Sequence, residues 1–138
     1  MLPILEKINE PGEYIATFKD IRQWHSILNA AVFGGVVPKF GDIEIKFRRG
    51  QFASAVEDNK KRNPDDRCCP LRISPCFPSF KVFIIILAHE MIHAWEWVVI
   101  GRMSHGKTFF QWKEKLAEQG IPLNKRYHRK FLDIPEYL

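Results

Sequence analysis

At 138 residues and 16.2 kDa the chain has the length of one domain with a real core, and it is read as a single unit over 1–138. Its 46% hydrophobic and 27% charged residues describe an ordinary soluble globular protein, and its longest apolar run, Val82 to Ala88, falls well short of the ~18 residues of a membrane span. A net charge of +5 with a pI near 9.2 suits an acidic partner without identifying one.

"MLPILEKINEPGEY" is too short and too acidic for a signal peptide, so the expectation is a cytoplasmic protein, near the nucleoid if it meets DNA, with no membrane partner. In "ATFKDIRQWHSILNAAVFGG", Phe18, Ile21, Trp24, Ile27, Leu28, Ala31 and Val32 recur at the spacing of one helical face. Thr17 is its expected N-cap and Gly34-Gly35 its stop. Pro38 and Gly41 mark a turn. "DIEIKFR" then alternates, which predicts a half-exposed strand with Ile43, Ile45 and Phe47 on one side. "QFASAVE" reads as a second strand after a tight turn at Arg49-Gly50, and "PLRIS" as a short third one. Between these two, "NKKRNPDDR" mixes both charges and reads as a solvated loop.

From Ser79 to about Ile100 a helix is predicted, apolar nearly all round before its histidines and so placed through the middle of the domain, with Gly101 ending it. Trp95 and Trp97 within it cannot share a face, and packing is expected of both. "GKTFFQWKEKLAEQG" predicts one amphipathic helix with Phe109, Trp112 and Leu116 inward and Gly120 as its cap. The fold class is therefore α+β: an N-terminal helix, a small sheet of about three strands, a central helix and a C-terminal amphipathic helix. Three cysteines, Cys68, Cys69 and Cys76, are too few for a Cys-rich metal site and read as free, partly buried thiols in a reducing compartment.

His89 and His93 stand one helical turn apart, so both imidazoles leave the same face about 6 Å from each other, suited to one zinc. Glu90 lies ~100° round the helix, beside such a metal, where a carboxylate can take a proton from the water it activates. Three polar groups inside an apolar helix would each cost roughly 1–3 kcal/mol without a shared purpose. A catalytic zinc needs a third protein ligand. Gly at 96 and His at 99 would extend the motif to the long metzincin form, but Glu96 and Val99 occupy those places. Glu96 is also ~10 Å along the axis from His89, too far for three ligands on one straight helix. His105, between Ser104 and Gly106 just past the helix, can fold back onto the metal and is preferred to Glu114 and Glu118, which read as an exposed i, i+4 pair.

"HEMIHAW" and "SHGKTFF" resemble the H-E-x-x-H-A and later H-G-plus-Phe signature of the SprT-like zinc metallopeptidases, the family that includes Spartan-type proteases of DNA–protein crosslinks. "LNAAVFGGVVPKFGDIEIKF", "CCPLRIS" and "RYHRKF" are similar to further segments of that family, so the resemblance covers roughly residues 14 to 130. It implies a zincin-like domain with one zinc on His89, His93 and His105 and Glu90 as catalytic acid/base. No cysteine follows Cys76, so the sequence reads as a minimal catalytic domain without the Cys-rich zinc ribbon of many members.

The expected activity is peptide-bond hydrolysis on protein substrates, including DNA-bound or DNA-crosslinked ones. Tyr127 and His128 are the candidate oxyanion partners, and "PLRIS" the candidate edge for pairing with an extended substrate. Lys125, Arg126, Arg129 and Lys130 around them form a basic strip suited to non-specific DNA. Two other readings stay open. One is a nucleic-acid-binding module with a structural zinc closed by Cys76 or His128; the other is an inactive scaffold on the same fold. Glu90 argues against both, because a structural site has no use for it.

Overall fold

Between Phe80 and Ala94 every side chain except that of Lys81 is buried, so the segment has no water-facing side and must sit among other elements. The computed structural model describes residues 2–8, 10–58 and 67–127 and places this segment at the centre of an α+β domain. In chain order the elements are β1 (Tyr14–Ile15), α1 (Phe18–Ala31), β2 (Ile43–Ile45), β3 (Ala53–Ala55), β4 (Leu71–Ile73), β5 (Cys76–Phe77), α2 (Phe80–Trp95), a π-helical turn (Glu96–Ile100), α3 (Lys107–Phe110) and α4 (Lys113–Glu118). A 3-10 turn at Leu5–Lys7 precedes them. By length and hydropathy the 21 residues Phe80–Ile100 would cross a membrane, yet 78% of their 18-residue apolar window is buried inside the fold, the mark of a core helix.

Each helix start has a local cause. The Thr17 hydroxyl accepts from the Asp20 N–H at 3.1 Å, and the Ser79 hydroxyl accepts from the Val82 N–H at 3.1 Å. α1 packs on α2 and buries Ile21, His25 and Leu28. His25 is no part of the expected apolar face. Its Nε2 donates to the Pro38 carbonyl at 2.9 Å, which lets a polar ring go inside, whereas Phe18, in the first turn, stays 46% exposed.

The sheet runs β2-β4-β3, with β4 parallel to β2 and antiparallel to β3. "PLRIS" therefore supplies the central strand, bonded on both sides, and offers no edge to a substrate. Leu71 and Ile73 point into the core, and burial on that face outweighs the strand's shortness. Phe47 also departs from expectation. Pairing of β2 stops at Ile45, alternation no longer governs the next residues, and Phe47 is 72% exposed. A second, two-stranded ribbon pairs Tyr14 with Phe77 and Ile15 with Cys76.

The predicted C-terminal helix is two short ones. Phe109 seats among the site histidines, while the Trp112 ring seats between Phe33 (5.0 Å) and Trp95 (5.4 Å). A turn at Gln111–Trp112 lets both rings reach their places. α2 ends in the π-turn, closed by Gly101 at φ 93°, where a side chain would also meet the Arg67 guanidinium at 2.8 Å. Trp97 is buried there and donates to the Cys68 carbonyl at 2.9 Å, and Trp95 packs on the core, so both tryptophans do serve packing. Cys69 is buried, Cys68 half-buried and Cys76 exposed, and none of them is disulfide-bonded to another. Burial pushes the Cys69 thiol up to about 12, so it behaves as an apolar side chain. The loop 59–66 and the tail beyond Tyr127 lie outside the described residues.

Candidate metal centre

The one-turn spacing of His89 and His93 on α2 brings their Nε2 atoms to 3.2 Å, and the turn after Gly101 returns His105 so that its Nε2 lies 3.1 Å from that of His93. Ligand atoms of all three lie within 4.8 Å of one another. A tetrahedral cation with bonds of ~2.0–2.1 Å asks for nitrogens about 3.3 Å apart, close to these separations. Three imidazole nitrogens are a donor set suited to zinc and to its borderline-soft neighbours. Among the described residues no further His, Cys, Asp or Glu joins the group. Cys76, one of the two candidate closing ligands of a structural site, sits in the β1–β5 ribbon; the other, His128, lies outside the described residues. Glu114 and Glu118 are exposed on α4 and stand outside the group.

The Phe109 ring touches all three imidazoles, with centroids 4.8, 4.9 and 4.9 Å from those of His89, His93 and His105. This apolar floor disfavours charge. Burial, reinforced by the neighbouring histidines, lowers His89 to about 3, and burial likewise lowers His105. Both are neutral at pH 7, the form that binds a metal. Glu90 follows His89 into the interior, with Oε1 3.9 Å from the His89 Nε2 and Oε2 buried without a partner. Burial raises its pKa to about 7, against a hydrogen bond from the Ala55 backbone and the nearby His93, which favour the charged form.

The distance that excludes Glu96 as a third ligand on a straight helix leaves its actual place unread. Glu96 is fully buried, and its Oε1 accepts from the His93 Nδ1 at 2.9 Å. The remaining acceptor positions take the Thr108 hydroxyl at 2.6 Å and the Ser104 hydroxyl at 3.2 Å. These hydrogen bonds outweigh burial and hold the carboxyl below its usual range. The one available signal in the sequence is the i, i+3 step from His93 to Glu96, with hydroxyl residues on either side of His105.

The Tyr127 ring lies 5.4 Å from that of His89, but its hydroxyl donates to the Pro122 carbonyl at 3.0 Å. Lys125 and Arg126 are exposed and near enough to His105 to depress its basicity further; Arg129 and Lys130 lie outside the described residues. A cavity of about 370 Å³ between α1 and β2, lined by Arg22, His25 and Lys39 among others, shares no residue with the histidine group.

Three convergent imidazoles that could hold a metal ion, with a buried carboxylate following the first, fit a metallopeptidase-type α+β domain. The chain belongs to the SprT-like family, whose model matches residues 21–128. No curated protein matches it.

Proposed function

We propose that the chain is a zinc-dependent endopeptidase with His89, His93 and His105 as ligands. The observation that carries this reading is the convergence of three imidazole nitrogens beside one buried, partner-poor carboxylate. A bound zinc supplies Lewis acidity, making water a nucleophile at neutral pH and polarising the scissile carbonyl. Glu90 supplies the proton traffic. Its carboxylate, made more basic by burial, takes a proton from the attacking water and passes it to the leaving amine. Tyr127 and His128 are the proposed oxyanion partners, and for Tyr127 the role requires its hydroxyl to leave the Pro122 carbonyl.

With β4 central, the substrate strand is assigned to β3. Val56 N–H donates to the Pro70 carbonyl and Ser74 N–H to the Phe52 carbonyl, so alternation turns the Ala53 and Ala55 peptide groups to the free edge. That edge adjoins Glu90, since the Ala55 backbone lies near enough to its carboxylate to favour the charged form. An extended chain added there would be held chiefly by main-chain bonds, which makes cleavage tolerant of sequence.

The proposed substrates are DNA-bound proteins, on the support of Lys125 and Arg126 beside His105. Histone cleavage by the zinc-loaded protein, measured with and without single- or double-stranded oligonucleotide, tests both parts. Cleavage is expected, rising with DNA. Binding by fluorescence anisotropy should weaken with salt at a log–log slope near roughly −3 to −4, the value for about four phosphate contacts by the basic strip. Absence of any cleavage contradicts the peptidase. If neither strand form binds below ~100 μM and DNA leaves cleavage unchanged, the DNA link falls and a plain peptidase remains.

A further inference from the structure

Glu96 takes no part in the chemistry proposed above, yet a fully buried carboxylate is expensive unless something uses it. We propose that Glu96 is a positioning residue that fastens His93 and the His105 loop to each other, setting the histidine triad before any metal arrives. The inference rests on the reading of these three histidines as ligands.

Its two ends grip the same returning loop. The backbone carbonyl of Glu96 accepts from the Gly101 N–H at 2.8 Å and, more weakly, from the Arg102 N–H at 3.4 Å, the wide bonding of the π-turn. The carboxylate then reaches across that turn. Oε1 accepts from the His93 Nδ1 and, at 3.3 Å, from the Ser104 N–H; Oε2 accepts from the Ser104 and Thr108 hydroxyls. Ser104 and Thr108 lie on either side of His105, so one carboxylate ties a histidine on α2 to the segment bearing the third histidine. A carboxylate in its ionised form only accepts. His93 must therefore donate from Nδ1, and in the neutral ring that turns the Nε2 lone pair toward the Nε2 atoms of His89 and His105. Tautomer, ring orientation and loop position are set together. An unheld loop would lose its freedom on metal binding and weaken affinity accordingly; a fastened one loses less.

The test compares Glu96→Ala and Glu96→Gln with the wild type by two readouts: zinc affinity in competition with a chromophoric chelator, and the His93 tautomer in the metal-free protein by imidazole ¹⁵N NMR. Glu96→Ala is expected to bind zinc ~10–100-fold more weakly, as loss of an outer partner of a metal histidine does, and to lose the Nδ1–H form of His93. Glu96→Gln should recover most of the affinity and keep that tautomer. Its amide oxygen accepts from Nδ1, and the Ser104 and Thr108 hydroxyls can rotate to accept from its NH₂. A residue that merely filled space would leave the tautomer alone, so Glu96→Ala with wild-type affinity or an unchanged His93 tautomer overturns the proposal. Should Glu96→Ala fail to fold, Ser104→Ala combined with Thr108→Val decides instead. It removes both hydroxyl bonds to the loop but leaves the Ser104 N–H and His93 bonds, so zinc binding should weaken with the tautomer unchanged, and wild-type affinity there is the contrary result. A wild type that takes up no zinc refutes the ligand reading alone, because the metal-free tautomer still reports on Glu96.

Discussion

Glu90→Gln is expected to lower peptide hydrolysis by at least ~100-fold while zinc content and thermal unfolding stay at wild-type values. The two side chains are nearly isosteric, so the buried site keeps its packing. What disappears is the capacity to accept a proton. In this interior that capacity is unusually strong, because burial raises the Glu90 pKa to about 7 and Oε2 has no partner to compete for it. Fold and metal are not at stake, since the carboxylate lies 3.9 Å from the His89 Nε2 and outside the group of three histidines. A Glu90→Gln variant that cleaves casein or histone at the wild-type rate would remove Glu90 from the mechanism.

The second large effect is on the metal itself. His105→Ala is expected to weaken zinc binding by more than the ~10–100-fold that loss of an outer partner costs, because it removes one of three ligands and opens the site to solvent. Glu114→Ala and Glu118→Ala should bind nearly as the wild type does. Both carboxylates are exposed on α4, where a charge stays hydrated and gains nothing from a distant cation. Zinc competition across the three variants reads this directly. The reverse order of losses would move the protein to the class in which a second helix donates a glutamate ligand.

The features behind these effects differ in how far the sequence alone determines them. The His89–His93 spacing determines a common helical face by geometry alone, and a histidine in a glycine-containing turn just past the helix is free to join them. The N-caps at Thr17 and Ser79 are local too, a hydroxyl three residues ahead of the N–H it accepts from. Strand order is not local. Nothing in the alternation of "PLRIS" tells a central strand from an edge, and its position comes from parallel pairing with β2, 28 residues earlier at the Ile43–Leu71 register. The ribbon of β1 and β5 is too short for any period to emerge.

Side-chain demands explain two further departures. A single amphipathic stripe over Phe109, Trp112 and Leu116 suggests one helix, but the rings of Phe109 and Trp112 have separate destinations, and the chain turns between them. Glu96 is the clearest case within the site. Its partners Ser104 and Thr108 stand 8 and 12 residues downstream, and they meet it only because the π-turn and Gly101 reverse the chain. Read as a linear pattern, Glu96 is one more acid on a helix. In space it is the acceptor shared by His93 and the His105 loop.

The central claim, a catalytic zinc on three histidines, is tested most directly by metal analysis of the wild-type protein purified without chelator. The account predicts one zinc per chain, removed by chelation and taken up again on titration. A protein that carries no zinc and binds none when titrated would contradict it.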